Sequence, residues 1–185
     1  MRKSLILIAA LAASPAFATG LDIEVEGEAN GTVHIDLFED VAPGHVAHIT
    51  KLVEEGAYEG VVFHRVIDGF MAQTGDVEFG KSGADGFSMQ MAGRGGSSYP
   101  DLKAEFSDAP FVEGTVGMAR SQSPDSANSQ FFIMFAPAPH LDGQYTVVGK
   151  VTSGMDIVHA IKRGTGPNGA VIGVPDMMSH VTVTP

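Results

Sequence analysis

One arginine stands in an apolar run of the sequence and is followed by groups suited to binding a partly apolar molecule. Arg65 lies within the predicted strand 61–67, and Phe70, Met71 and Gln73 follow it closely. A guanidinium among aromatic, thioether and amide groups suits a neutral substrate, one atom of which it can polarise. The run contains no evident nucleophile, so the pattern does not favour hydrolysis.

These residue types also have a plainer interpretation. Phe70, Met71 and the later Phe132 are side chains that the core of most β-proteins contains. Arg65 is less ordinary, because a buried guanidinium without a partner costs several kcal/mol. His64 beside it fits a structural, hydrogen-bonding histidine better than an acid or a base. Arg65 is therefore the strongest functional candidate of this segment.

The elements that must position these side chains are mostly β-strands. Apolar and polar residues alternate over 21–26 and 33–37, and the Asn30-Gly31 pair between the two runs predicts a hairpin. Residues 76–101 are rich in glycine and serine and predict a long loop. Six further runs predict strands at 61–67, 70–74, 112–119, 130–136, 145–151 and 180–184.

Two helices are predicted among the strands. Pro43 suits a first helical turn, and apolar residues line one face of that helix until Gly56 ends it. A shorter helix is predicted over 155–163, with Gly164 as its C-cap. Eight strands and two helices predict an all-β fold, a closed eight-stranded antiparallel β-barrel capped by two α-helices.

Residues 1–18 have the pattern of a cleaved signal peptide. Arg2 and Lys3 are followed by an apolar stretch at 5–13 and by the cleavage pattern Ala-Phe-Ala at 16–18. The apolar stretch is shorter than the ~20 residues that span a bilayer. We therefore expect an exported protein whose mature chain, 19–185, is a single domain.

The charge of the mature chain limits its partners. Without Arg2 and Lys3 it has 9 basic and 22 acidic residues, a net charge of −13. Nucleic acids and anionic membrane surfaces require a basic footprint, so neither is expected as a partner. The chain has no cysteine, which excludes disulfides and thiolate metal sites. His45 and His48 could share a metal ion, but no third ligand is evident and no metal site is expected.

Four collinear blocks of the sequence resemble the cyclophilins, the cyclosporin-binding family of peptidyl-prolyl isomerases. The resemblance extends over essentially the whole mature chain, and some details are similar to the bacterial periplasmic branch. The blocks are residues 63–67 with 69–76, 117–120, 128–133, and 141–143 with 145–151.

The resemblance implies a role for each residue of the site. Arg65 would be the catalytic group, donating to the proline nitrogen while the preceding peptide bond is twisted. No proton transfer, covalent intermediate, metal or organic cofactor would be needed. The implied substrate-binding residues are His64, Phe70, Met71, Gln73, Ala119, Arg120, Gln130, Phe132, His140, Leu141 and Tyr145. Among these, Phe70, Met71, Phe132 and Leu141 would seat the proline ring.

Three positions depart from the pattern of many cyclophilins. His140 stands where eukaryotic members carry a tryptophan that contacts cyclosporin, so weak cyclosporin binding is expected. Tyr145 replaces a common histidine and Arg120 replaces an asparagine, as in the periplasmic branch. The resemblance thus implies a monomeric periplasmic isomerase that acts on proline-containing peptides and folding exported proteins.

Two other functions are alternatives to the isomerase. The same barrel could be a proline-peptide-binding module or a chaperone in which catalysis is incidental, although pure binding would not require the Arg65 donor. An exported serine hydrolase is disfavoured, because no Gly-x-Ser-x-Gly segment occurs in the sequence.

Overall fold

A computed structural model describes residues 19–185, and the predicted signal peptide lies outside these described residues. The described chain contains nine strands and two α-helices, α1 (Pro43–Glu54) and α2 (Met155–Ala160). Neither helix is long and apolar enough to cross a membrane. The strands are β1 (Gly20–Glu26), β2 (Gly31–Leu37), β3 (Val61–Val62), β4 (Arg65–Ile67), β5 (Met71–Thr74), β6 (Thr115–Met118), β7 (Phe131–Met134), β8 (Val147–Ser153) and β9 (Met177–Thr184).

All nine strands belong to one antiparallel sheet, in the order β3-β9-β1-β2-β8-β6-β7-β5-β4. The predicted hairpin is confirmed, since β1 pairs with β2 and Ile23 lies opposite Val33. The alternating pattern explains which face is buried: Ile23, Val33 and Ile35 are each about 1% exposed. Their side chains join a core that also contains the inner faces of both helices.

The predicted strand 61–67 is wrong as a single element, and this error accounts for the ninth strand. Its first part, β3, pairs with β9, and its second part, β4, pairs with β5. Between them the Phe63 N–H donates to the Asp176 carbonyl (2.9 Å), and the His64 carbonyl accepts from Val171 N–H (3.0 Å). The backbone of these two residues therefore follows the segment before β9 instead of continuing a ladder.

The closed eight-stranded barrel is likewise not confirmed. The structure is a curled sheet of nine strands, with β3 and β4 as its two edges. Only Phe63 and His64 separate β3 from β4 in the chain, so the edges of the sheet lie close to each other. The mostly-β, antiparallel character of the fold and its two helices are as predicted.

The first helix is confirmed, and the second is shorter than predicted. In α1, the Glu105 carboxylate accepts from the N–H groups of Gly44 and His45, both at 3.0 Å, and so caps the helix from a distant loop. In α2, the helix ends before Ile161, which is extended at φ −55° and ψ 130°. The Asp176 carboxylate accepts from Lys162 N–H (2.6 Å), a long-range bond that draws the backbone away from the helix axis.

The long loop after β5 is organised around one buried carboxylate. Asp76 is 0% exposed, and its two oxygens accept four backbone N–H bonds. A buried carboxylate is tolerated when such bonds replace its hydration. The four donors are Glu78 (3.1 Å) and Phe79 (2.9 Å) on one oxygen, and Gly93 (2.7 Å) and Gly95 (2.9 Å) on the other.

His64 is buried at the break between β3 and β4. Its side chain is only about 5% exposed, and burial lowers its pKa from the ordinary 6.5 to about 4. The Asp76 carboxylate acts in the opposite direction on this pKa but is outweighed by the burial. The ring is therefore neutral at pH 7.

The buried Asp76 carboxylate, which anchors the long loop, yields a first prediction. Asp76→Asn replaces one acceptor oxygen with an NH₂ group that faces backbone donors, so two hydrogen bonds are lost in a buried site. We expect the free energy of unfolding to fall by about 3 kcal/mol, measured by urea denaturation. Asp85→Asn, in an exposed part of the same loop, is the control and should change stability by less than ~0.5 kcal/mol. Equal stability of the two variants would show that the hydrogen bonds of Asp76 do not stabilise the fold.

The burial of His64 yields a second prediction. The unfolded chain binds a proton near pH 6.5 and the folded chain only near pH 4, so stability falls as the pH drops across this window. The full shift corresponds to roughly 3 kcal/mol. His64→Gln should remove the His64 contribution to the dependence of the free energy of unfolding on pH. His159→Gln, at an exposed position, should retain that contribution. An unchanged slope in His64→Gln, seen in denaturation curves at pH 7, 5.5 and 4.5, would show that His64 does not titrate in this way.

Candidate active site

Most of the predicted site residues converge on one small cavity at the β4–β5 edge of the sheet. The cavity measures about 170 Å³, and nine of the twelve predicted residues line it. They come from strands, turns and loops that are distant in the sequence. The nine are Arg65, Phe70, Met71, Gln73, Ala119, Arg120, Phe132, Leu141 and Tyr145.

The floor of the cavity is apolar. Met71 of β5, Phe132 of β7 and Leu141 of the 3-10 turn Pro139–Leu141 are all buried. Below them the Phe111 ring stacks on the Phe132 ring, with centroids 5.7 Å apart and an interplanar angle of 21°. Gly117 lies opposite Phe132 in the sheet, and a Cβ there would meet Phe111 at 2.6 Å and Phe132 at 2.7 Å. Glycine is therefore needed for the rings to take these positions.

Arg65 is the cationic group at the wall of this cavity. It lies directly opposite Gln73 in the β4–β5 ladder, and its Nη1–H donates to Gln73 Oε1 (3.0 Å). On its other side, Nε–H donates to the Asn168 carbonyl (3.0 Å) and Nη2–H to Asn168 Oδ1 (3.1 Å). Burial lowers the pKa of Arg65, but an arginine remains charged at any pH at which the protein is folded.

A line of amide hydrogen bonds connects Arg65 to the long loop. Gln73 Nε2–H donates to Gln130 Oε1 (3.0 Å), and Gln130 Nε2–H donates to the Gly95 carbonyl (2.8 Å). Gln130 lies outside the cavity and lines an adjoining polar groove of about 520 Å³. The groove shares Gln73, Ala119 and Arg120 with the cavity, so the two form one continuous surface.

Arg120 and Tyr145 form the opposite rim. The Arg120 guanidinium lies 4.4 Å from the centroid of the Tyr145 ring, a cation–π contact. Its Nη2–H donates to the Gln144 carbonyl (2.8 Å), and Nη1–H donates to the Ser121 carbonyl (3.0 Å). Arg120 thereby joins two loops on either side of the cavity. Arg120 and Tyr145, two of the positions that depart from the pattern of many cyclophilins, therefore contact each other.

The remaining two predicted residues do not line the cavity. His140 is exposed, and its ring stacks on Phe70 with centroids 5.9 Å apart, so it extends the rim. His64 is buried behind the strand and packs near Gly93 of the loop. Neither of its ring nitrogens has a hydrogen-bond partner among the described residues, so the hydrogen-bonding role expected of His64 stays a prediction.

Asn168 and Phe111 belong to this site, but the sequence reasoning missed both. Phe111 is indistinguishable in the sequence from any core aromatic residue. Asn168 precedes Gly169, and this pair of residues indicates a turn. It does not indicate which residue Asn168 contacts in the fold. No local pattern links Asn168 to Arg65, which is 103 positions away.

The chemistry available at the cavity is non-covalent. One cation faces an apolar floor, and the rim offers amides and a tyrosine. No group of three or more metal-ligating side chains occurs among residues 19–185. His45, half of the pair considered for a metal, binds Glu105 through Nδ1 at 2.6 Å. The site can hold an apolar ring and direct N–H donors at one of its atoms.

Comparison with known proteins assigns the family. Residues 21–183 match the family model described as cyclophilin type peptidyl-prolyl cis-trans isomerase/CLD. A "Probable peptidyl-prolyl cis-trans isomerase" of Brucella suis is 61% identical over 154 residues, 83% of this chain and 78% of that protein. Peptidyl-prolyl cis-trans isomerase B of Bacillus subtilis is 37% identical over 139 residues, 74% of this chain and 87% of that protein.

Solved structures show the same fold. Cyclophilin AquaCyp293 from Hirschia baltica has a TM-score of 0.70 and 25% identity, over 88% of this chain and 73% of that chain. A cyclophilin type isomerase from Cryptosporidium parvum has a TM-score of 0.75 and 22% identity, over 91% of this chain and 99% of that chain. The family match over nearly all described residues and the identity with curated relatives show that this chain belongs to the cyclophilin-type peptidyl-prolyl cis-trans isomerases.

Proposed function

We propose that this chain catalyses X–Pro isomerisation by stabilising the twisted peptide bond without covalent chemistry, with Arg65 as the donor to the proline nitrogen. The observation that carries the proposal is the Arg65 guanidinium held at the wall of an apolar cavity. The uncatalysed reaction takes tens to hundreds of seconds, because amide resonance imposes a barrier of about 18–20 kcal/mol.

The geometry supports this mechanism through selective binding of the transition state. Twisting the bond ends conjugation and localises a lone pair on the proline nitrogen. A fixed N–H donor interacts with this lone pair, whereas the planar nitrogen of either ground state offers none. The guanidinium therefore stabilises the twisted state more than the cis or trans state, and this difference accelerates the reaction.

The apolar floor supplies the second requirement, a fixed proline ring. Met71, Phe132 and Leu141 would seat the ring while the preceding carbonyl rotates. Gln73, Ala119 and Arg120 would carry the peptide backbone between the cavity and the adjoining groove. One structure of the Cryptosporidium parvum relative was determined in the presence of the dipeptide Ala-Pro, which agrees with a proline-containing ligand.

The proposed setting is the periplasm, where a monomeric enzyme would assist the folding of exported proteins. The signal-peptide pattern of residues 1–18 and the acidic, cysteine-free mature chain support export. Cyclosporin would bind weakly, because His140 offers a smaller apolar face than a tryptophan would.

The role of Arg65 yields a third prediction. Arg65→Ala removes the donor while leaving the apolar floor intact, so kcat/KM for a short X–Pro peptide should fall by about 10²–10³-fold. Peptide affinity, measured by NMR titration, should change by no more than a few-fold. Lys150→Ala removes an exposed cation of β8 and should leave the rate unchanged. If wild type binds proline peptides but gives no acceleration, the protein is a binding module and the catalytic proposal fails.

A fourth prediction concerns cyclosporin. His140→Trp enlarges the ring stacked on Phe70 and adds an indole N–H at the rim. We expect inhibition of the isomerase by cyclosporin to strengthen at least about tenfold, which corresponds to about 1.4 kcal/mol. His159→Trp, placed on α2 away from the cavity, is the control. A nanomolar Kd of the wild-type protein would contradict the expectation of weak binding.

A further inference from the structure

Asn168 has an unusual backbone conformation. It lies in the 3-10 turn Pro167–Gly169 at φ 55° and ψ 30°. Among residues 19–185 it is the only non-glycine residue with a positive φ. Asparagine tolerates this left-handed region better than most residues, yet such conformations concentrate where a functional group must be held in place.

The left-handed turn lets a single residue offer two oxygens to Arg65. The Asn168 main-chain carbonyl accepts from Nε–H (3.0 Å), and its side-chain Oδ1 accepts from Nη2–H (3.1 Å). These two donors lie on one edge of the planar guanidinium. Asn168 therefore fixes the rotation of the guanidinium plane as well as its position.

The turn that carries Asn168 is itself packed firmly on β4. A Cβ on Gly169 would overlap the Ile67 side chain, and a Cβ on Gly164 would overlap the Gly169 carbonyl. The Gly164 N–H donates to the Val66 carbonyl (2.8 Å), and Ala170 forms a bridge with Arg65. Asn168 thus belongs to a platform that cannot shift without displacing the strand that carries Arg65.

A count of donors shows what this arrangement leaves free. A guanidinium has five N–H groups. Asn168 takes two and Gln73 takes one, through Nη1. One N–H on Nη1 and one on Nη2 remain, and no further hydrogen bond of Arg65 is found among the described residues. Two of the five donors are thus available in a side chain that lines the cavity.

We propose that Asn168 is a positioning residue for the isomerase reaction, which turns the free Nη donors of Arg65 toward the proline nitrogen. The inference rests on the proposed function of Arg65. A long arginine side chain loses much rotamer freedom when it is fixed, and a preorganised donor avoids this loss during the reaction. Asn168 contacts Arg65 but need not contact the substrate, so it should affect kcat more than KM.

The test is the variant Asn168→Gly, which keeps the left-handed backbone and the main-chain acceptor but removes Oδ1. We expect kcat to fall about tenfold with KM unchanged within about twofold. Asn168→Asp retains an oxygen at the Oδ1 position and should be at least about threefold more active than Asn168→Gly. Thr165→Gly, an exposed neighbour in the same loop, is the matched control and should leave kcat unchanged.

A double-mutant cycle separates positioning from general loosening of the loop. In the Arg65→Ala background, Asn168→Gly should have no further effect on kcat, because the group that it orients is absent. Additive losses, or full activity of Asn168→Gly alone, would overturn the inference. Either result leaves the proposed function standing if Arg65→Ala is still impaired. The proposed function itself fails if wild type shows no isomerase activity or if Arg65→Ala is as active as wild type.

Discussion

The fold and the site both depend on how the chain passes from one edge of the sheet to the other at Phe63 and His64. β3 on one side pairs with β9, and β4 on the other side pairs with β5. Since the backbone of these two residues is bound to the segment before β9, β4 emerges beside the loop that carries Asn168. This placement sets Arg65 between Gln73 and Asn168, which together accept three of its five N–H donors.

Holding a cation next to an apolar floor is costly, and the structure compensates by hydrogen bonds to neutral oxygens rather than by a carboxylate. Arg65 donates to a carbonyl and two amide oxygens, and no carboxylate is among its hydrogen-bond partners in the described chain. An adjacent carboxylate would attract the guanidinium and reduce its availability to a neutral peptide nitrogen. The amide partners therefore orient the charge without neutralising it.

Two buried carboxylates organise the loops around this centre. Asp76 collects four backbone donors from the loop after β5 and so positions Gly95, which accepts from Gln130. Asp176 accepts from Ala29 N–H (2.9 Å) and Lys162 N–H, connecting the β1–β2 turn to the segment after α2. Asp76 joins two parts of one loop, whereas Asp176 joins segments that are far apart in the sequence.

Local periodicity and turn signals in the sequence were enough to predict the β1–β2 hairpin and α1, and the resemblance of four sequence blocks to known cyclophilins indicated the family. The same resemblance implied nine residues that the fold brings to one cavity, because these residues lie in short recognisable blocks. Only the tertiary structure decided that 61–67 divides into two strands, that α2 ends at Ala160, and that Asn168 holds Arg65. The physical reason is shared: each of these features results from hydrogen bonds between residues distant in the chain, as between Lys162 and Asp176 or Arg65 and Asn168. Propensity and periodicity describe a residue's neighbours in sequence, and such bonds form only once the fold has brought their partners together.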